Sequence, residues 1–286
     1  MYAITGITGQ VGGALLEQLL AARLPVRAVV RDPAKGEALA ARGCQVALAD
    51  IGDAAALARA FEGAEAVFVL MPPSFDPAPG FPEAAAIIAA LRAALLQARP
   101  ARVVCLSTIG AQAPQPNLLN QLGMMERALG TLPMPVAFLR AAWFMENSLW
   151  DVASAREGRI ASHLQPLDKP VPMVACADIG AAAAELLQSH WDGVRVVELE
   201  GPVRVSPNDI AASFGRLLGR EVQVEAVPRV HWQAQFIGQG MRYPEPRMRM
   251  LDGFNAGWIE FEQGANGSRK GSTPLDTALR ALLKRV

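Results

Sequence analysis

Residues 2–22 read YAITGITGQVGGALLEQLLAA: a short β-type run, a turn with Gly6, Gly9 and Gly12 at intervals of three, and an apolar helical run. Strand, glycine turn and helix in that order open a βαβ unit that accepts a dinucleotide. Gly6 permits the tight turn, Gly9 removes the side chain where a pyrophosphate would approach, and Gly12 lets the helix lie close to the strand. Thr8, Gly9, Gln10, Val11 and Gly12 then present free N–H groups and the positive end of the helix to that pyrophosphate. A turn that serves packing alone is the competing reading.

The chain continues in the same rhythm. Apolar β-type runs at 2–5, 26–31, 45–49, 66–70, 103–107 and 136–139 alternate with helical runs at 10–22, 53–61, 82–98 and 118–129, the pattern of parallel strands joined by crossover helices. The strands read as apolar on both faces, as a sheet covered on both sides requires. The expected fold is α/β, a doubly wound parallel Rossmann sheet with a smaller C-terminal α+β substrate lobe. Near residue 150 proline, tryptophan and irregular polar stretches break the alternation, which divides the chain into a nucleotide-binding domain (1–150) and a smaller lobe (151–286). Within the latter, a strand at 171–175, a helix opening at Asp178 and a strand at 194–199 point to part of 171–200 returning to the main sheet. Ser206, Pro207 and Asp209 then form a capping box that opens a helix running to Gly219.

Composition narrows the partners. Lysine plus arginine and aspartate plus glutamate each number 27 in 286 residues, which leaves no electrostatic footprint for nucleic acid or an anionic membrane surface. No uncharged run reaches the roughly 18 residues of a membrane helix, and no secretory h-region precedes the first strand. Cys44, Cys105 and Cys176 form no CxxC pair and read as reduced core thiols, consistent with the cytoplasm. His163, His190 and His231 share no metal spacing, and HExxH, GxSxG and Walker motifs are absent. A small hydrophobic or aromatic molecule is the expected partner.

The end of the second strand selects the dinucleotide, because a carboxylate there would accept the ribose 2′-OH of NAD and repel a 2′-phosphate. The chain reads VRDPAK. Arg31 and Lys35 suit a phosphate and favour NADP (NADPH) over NAD, with the adjacent Asp32 weighing against and a solvated charged turn as the alternative. Asp50, followed by Ile51, ends the third strand where the adenine edge would lie. Leu70, Met71 and Pro72 end the fourth and line the ribose side.

The stretches ITGITGQVGG, VRDPAK, CLSTIGA, LRAAWFMEN, VPMVACADIG and VSPNDIAASFGRLLGREVQV resemble the NmrA-like family of atypical short-chain dehydrogenases/reductases; the chain beyond them matches loosely. The resemblance implies a Rossmann domain with a small substrate lobe. It also implies one of two occupations: an NAD(P)H-dependent reductase of quinones, dyes, imines or alkenes, or a non-catalytic regulator that binds NAD(P). Short-chain dehydrogenases commonly use a tyrosine with a lysine four residues on. This chain has only Tyr2 and Tyr243, and the helix at 118–129 contains neither tyrosine nor lysine. Glu126 matches an acidic residue common in that helix and reads as structural.

A reductase without that pair suits acceptors whose reduced form needs little acid assistance, such as quinones, imines and enones. Ser107, Thr108 and Asn147 are the candidate proton donors near the nicotinamide; each also has a plain structural reading as a turn residue. Trp143 and Phe144 follow the sixth strand where the acceptor crevice would open, with inter-lobe packing as the alternative. The stretch 72–82, with five prolines and Phe75 and Phe81, reads as a semi-rigid flap over the cofactor or a plain surface crossover.

Overall fold

The structure is a computed structural model that describes residues 1–285. Strand and helix alternate through β1 (Tyr2–Ile4), α1 (Gln10–Ala21), β2 (Val26–Val30), α2 (Pro33–Ala40), β3 (Gln45–Leu48), α3 (Ala54–Phe61), β4 (Ala66–Val69), α4 (Pro82–Ala98), β5 (Arg102–Thr108), α5 (Asn120–Leu129) and β6 (Val136–Ala141). Short elements follow: β7 (Trp143–Phe144), a 3-10 turn over Met145–Asp151, α6 (Val152–Arg156), β8 (Arg159–Ser162), β9 (Met173–Val174) and α7 (Cys176–Gln188). The chain closes with β10 (Val194–Glu200), α8 (Pro207–Leu218), β11 (Gln223–Ala226), α9 (Trp232–Gly238), α10 (Glu245–Ala256), α11 (Gly264–Gly267), β12 (Arg269–Lys270) and α12 (Leu275–Leu283).

Eight strands form one sheet in the order β12-β10-β6-β5-β4-β1-β2-β3, and every neighbouring pair is parallel. β7 pairs with β9, and β8 with β11, outside it. Parallel pairing requires crossovers, and helices cover both faces. On one face α1 and α7 cross so closely that a Cβ at Gly180 would lie 2.7 Å from the carbonyl carbon of Ala14. On the other, Leu57 and Phe61 of α3, Leu91 of α4 and Met125 of α5 pack with Val67, Val103 and Val136 of the sheet. The fold is the α/β, doubly wound sheet expected from the alternation.

Four local readings need correction. β3 is largely exposed, with Leu48 at 55%, because it is the last strand of the sheet with no strand beyond it. Residues 33–40 are helical although the sequence reading treats them as a turn; Asp32 caps them and Pro33 occupies the first helical position. α7 opens at Cys176, two residues before Asp178, because Glu146 accepts the Cys176 amide at 2.9 and 3.0 Å and supplies the cap from elsewhere in the chain. The run 171–175 is strand only at Met173–Val174, and Val171 forms an isolated antiparallel bridge to Val205. The capping box of Ser206 and Asp209 is present and α8 stops at Gly219 in the left-handed region.

Candidate functional site

Because the strands are parallel, their carboxyl ends share one edge, and the strand order reverses between β1 and β4, where an open α/β sheet forms its crevice. The glycine turn lies there. Gly6 has φ +64, which a residue with a Cβ rarely adopts, and a Cβ on it would also meet Leu70 at 3.0 Å. A Cβ on Gly12 would lie 2.2 Å from the Gly6 carbonyl oxygen and 2.6 Å from the Ile7 Cα, so helix and turn are in backbone contact. Thr8, Gly9 and Gln10 are exposed. Gly9 is the N-cap of α1 with no side chain bonding the helix, and no acidic residue stands in the first turn. The first-turn amides, Gln10 to Gly12, therefore stand at the crevice edge with a positive helix end and no acidic residue in their own turn. Such a cradle fits a pyrophosphate.

Thr5, which the sequence reading passed over, fixes the turn's neighbour. Its buried hydroxyl donates to the Phe68 carbonyl at 3.2 Å and accepts the Leu70 amide at 2.8 Å. Leu70 and Met71 are thereby held at the end of β4, with exposed Pro72 beyond. At the end of β2, Asp32 accepts the Ala34 amide at 2.9 Å. Arg31 and Lys35 are exposed and have no hydrogen bond or ion pair among the described residues. Asp50 accepts the Gly52 amide at 2.9 Å and shapes its own turn beside half-buried Ile51.

Ser107 does not face the crevice as a free donor. It is 3% exposed and its hydroxyl donates to Glu126 at 2.5 Å. Glu126 is gripped by Arg140 through two bonds of 2.9 and 2.7 Å, and Arg140 also reaches Glu262 at 2.8 Å and Glu198 at 3.4 Å. Burial opposes the Arg140 charge, but Glu126 and Glu262 outweigh it and hold the guanidinium more firmly protonated than usual. This network ties β5, α5, β6, β10 and the 260–263 segment together. Thr108 is partly exposed with its hydroxyl on the Ile109 carbonyl at 3.2 Å. Asn147 is exposed in the 3-10 turn.

Trp143 and Phe144 are half-buried in β7, and the Trp143 ring meets Phe254 of α10 edge-on at 5.2 Å. The stretch 72–82 is fastened at two points. Asp76 accepts the amides of Arg242 and Tyr243 at 2.9 and 2.6 Å, and Gln121 donates to the Ser74 carbonyl at 3.2 Å. Between them Phe75 meets Trp150 edge-on at 6.1 Å and lies 5.8 Å from the Arg247 guanidinium. Of this cluster only Phe75 was signalled by the sequence, as part of the proline-rich stretch; Trp150 and Arg247 arrive from distant elements with no local pattern.

The three cysteines are buried, and burial pushes the Cys105 and Cys176 thiols well up, away from the reactive thiolate. Among the described residues no group of His, Cys, Asp and Glu could hold a metal ion, and no helix is long and apolar enough to cross a membrane. A shallow depression of about 380 Å³ is lined by Arg102, Pro135 and Trp191 at the amino edge of the sheet, away from the glycine turn.

The model of the NmrA-like family matches residues 2–255. The chain is 29% identical over 243 residues to an NAD(P)H azoreductase of Xenophilus azovorans, covering 84% of this chain and 82% of the relative. It is 30% identical over 229 residues to the (4-alkanoyl-5-oxo-2,5-dihydrofuran-3-yl)methyl phosphate reductase of Streptomyces griseus, covering 79% and 76%. The crystal structure of an NADPH-dependent quinone oxidoreductase from Escherichia coli, complexed with NADPH, superposes with a TM-score of 0.80 at 26% identity over 99% of each chain.

Proposed function

The chain belongs to the NmrA-like family, and from that membership we propose that it is an NADPH-dependent reductase of a small aromatic or conjugated acceptor such as a quinone, imine or enone. The observation that carries the reading is the uncapped N-terminus of α1 behind the glycine turn, at the point of strand reversal, with Arg31 and Lys35, whose side chains have no partner among the described residues, beside the next strand end. In this reading Gly6, Thr8, Gly9, Gln10, Val11 and Gly12 hold the pyrophosphate, and Arg31 with Lys35 holds a 2′-phosphate. Asp50 and Ile51 border the adenine, and Leu70, Met71 and Pro72 line the ribose. The relatives named above reduce azo, dihydrofuranone and quinone groups, and all three acceptor types are conjugated.

Bound reduced nicotinamide supplies the hydride. The chain's own part is to orient the two reactants and exclude water. α5 carries no tyrosine or lysine, and the Ser107 hydroxyl is engaged by Glu126. Conjugated acceptors meet this economy, since the charge that arrives with hydride is delocalised and water can protonate it. Trp143, Phe144 and Asn147, with the flap over residues 72–82, bound the acceptor side.

The test is steady-state oxidation of NADPH and NADH with a panel of quinones, enones, imines and azo dyes. Acceptor-dependent loss of nicotinamide absorbance, faster with NADPH, supports the reading. Tight binding of both nucleotides without turnover of any acceptor would replace it with a non-catalytic NADP(H)-sensing regulator, the other occupation in the family that the lack of a tyrosine and lysine in α5 would suit.

A further inference from the structure

We propose that Arg247 is a specificity-determining residue for acceptors bearing an oxyanion substituent, a carboxylate, sulfonate or phosphate, and that it grips that group at the seam between flap and C-terminal lobe. The proposal rests on the reductase reading.

Three arginines of the α10 region differ in their company. Arg249 pairs with Glu245 at 3.0 Å and Arg229 with Asp252 at 2.7 Å, both at the surface. Arg247 is more deeply placed, yet no carboxylate meets it among the described residues. Its contacts are the Met241 sulfur at 3.7 Å, the Phe236 ring at 4.6 Å and the Phe75 ring at 5.8 Å. Two aromatic faces attract a guanidinium but accept none of its forked N–H donors, and the one acceptor among the described residues is the weak Met241 sulfur. Burial moves its pKa down, so the fold holds a charge there at a cost. A desolvated guanidinium between rings matches the planar, bidentate geometry of an oxyanion.

Among the described residues no carboxylate takes that role. Asp76 on the flap is engaged by the Arg242 and Tyr243 amides. His163 stacks on Phe236 at 5.1 Å, shares a hydrogen bond with Gln235, and is held toward its neutral form by burial and by Arg247. On the open side Phe75 and Trp150 are 44% and 67% exposed. They offer ring faces to the aromatic body of an acceptor whose anionic substituent reaches the guanidinium.

The experiment compares 1,4-naphthoquinone with its 2-sulfonate in the wild type, Arg247→Met and Arg247→Lys, each first checked for an unchanged melting temperature. It is paired with calorimetric titration of naphthalene-2-sulfonate onto the NADP-loaded protein. We expect Arg247→Met to raise KM for the sulfonate by about tenfold more than for the neutral quinone, with Arg247→Lys recovering part of the difference. Equal changes for the two quinones, or no change, would overturn the proposal. If the wild type reduces neither quinone but binds the sulfonate, and Arg247→Met loses that binding, the reductase reading fails and the oxyanion site stands. If Arg247→Met unfolds, the Arg247→Lys ratio decides alone.

Discussion

The Asp32 carboxylate accepts the Ala34 amide at 2.9 Å and is thereby spent as the N-cap of α2. The acid that weighs in the sequence against a 2′-phosphate is turned to its own helix, while the Arg31 side chain beside it has no partner among the described residues. Arg31→Glu should therefore weaken NADPH binding at least about tenfold relative to NADH, read by quenching of protein fluorescence. Asp32→Ala should cost about 1 kcal/mol of stability and leave the nucleotide preference in place. Unchanged NADPH affinity in Arg31→Glu would refute the assignment of that strand end.

Gly12 and Gly180 separate cofactor effects from packing effects. An added Cβ at Gly12 would collide with the Gly6–Ile7 backbone, so Gly12→Ala must displace the turn; calorimetry should find nucleotide affinity lost. At Gly180 the collision is with Ala14 and Leu15 of α1, not with the Gly6–Ile7 backbone. Gly180→Ala should lower stability by about 1–3 kcal/mol in denaturant unfolding, with the smaller effect on nucleotide affinity.

The Ser107 hydroxyl donates to Glu126 within a buried ion network. Ser107→Ala should lower stability by about 1–3 kcal/mol through loss of that bond. The pH profile of kcat should not move. A shifted profile would return Ser107 to the proton-transfer step.

Asp151 ends the 3-10 turn, and burial pushes its carboxyl up from 3.8 to about 7. The unfolded chain releases this proton near 4 and the folded chain near 7, so the carboxyl destabilises the fold progressively as pH rises between them, and fully above. Asp151→Asn should match the wild type near pH 4 and exceed its stability at pH 8 by up to about 4 kcal/mol. Thermal unfolding across that range reads the difference.

Much of the architecture was legible in sequence because it is written locally. β1, the glycine turn and α1 declare themselves within residues 2–22, and the Ser206 capping box can be read by spacing. α2 is equally local, an Asp cap followed by Pro33, but the residues around its start carry the phosphate-suited Arg31 and Lys35 pattern and read as a strand-end turn rather than a helix start. What could not be read is held by long-range partners. Glu126 and Arg140 lie 14 positions apart and Ser107 and Glu126 19, so the sequence offered Ser107 as a donor without showing the carboxylate that engages it. The α7 cap comes from Glu146, 30 positions earlier. Phe75, Trp150 and Arg247 meet where the 72–82 stretch is fastened to Arg242 and Tyr243 through Asp76.

The most direct measurement mixes the protein carrying one equivalent of NADPH with excess naphthoquinone under anaerobic conditions and follows bound nicotinamide and quinol together. The account predicts a single phase in which each NADPH lost yields one quinol, at a rate that depends on the protein. NADPH that stays bound and reduced through many equivalents of quinone would contradict it.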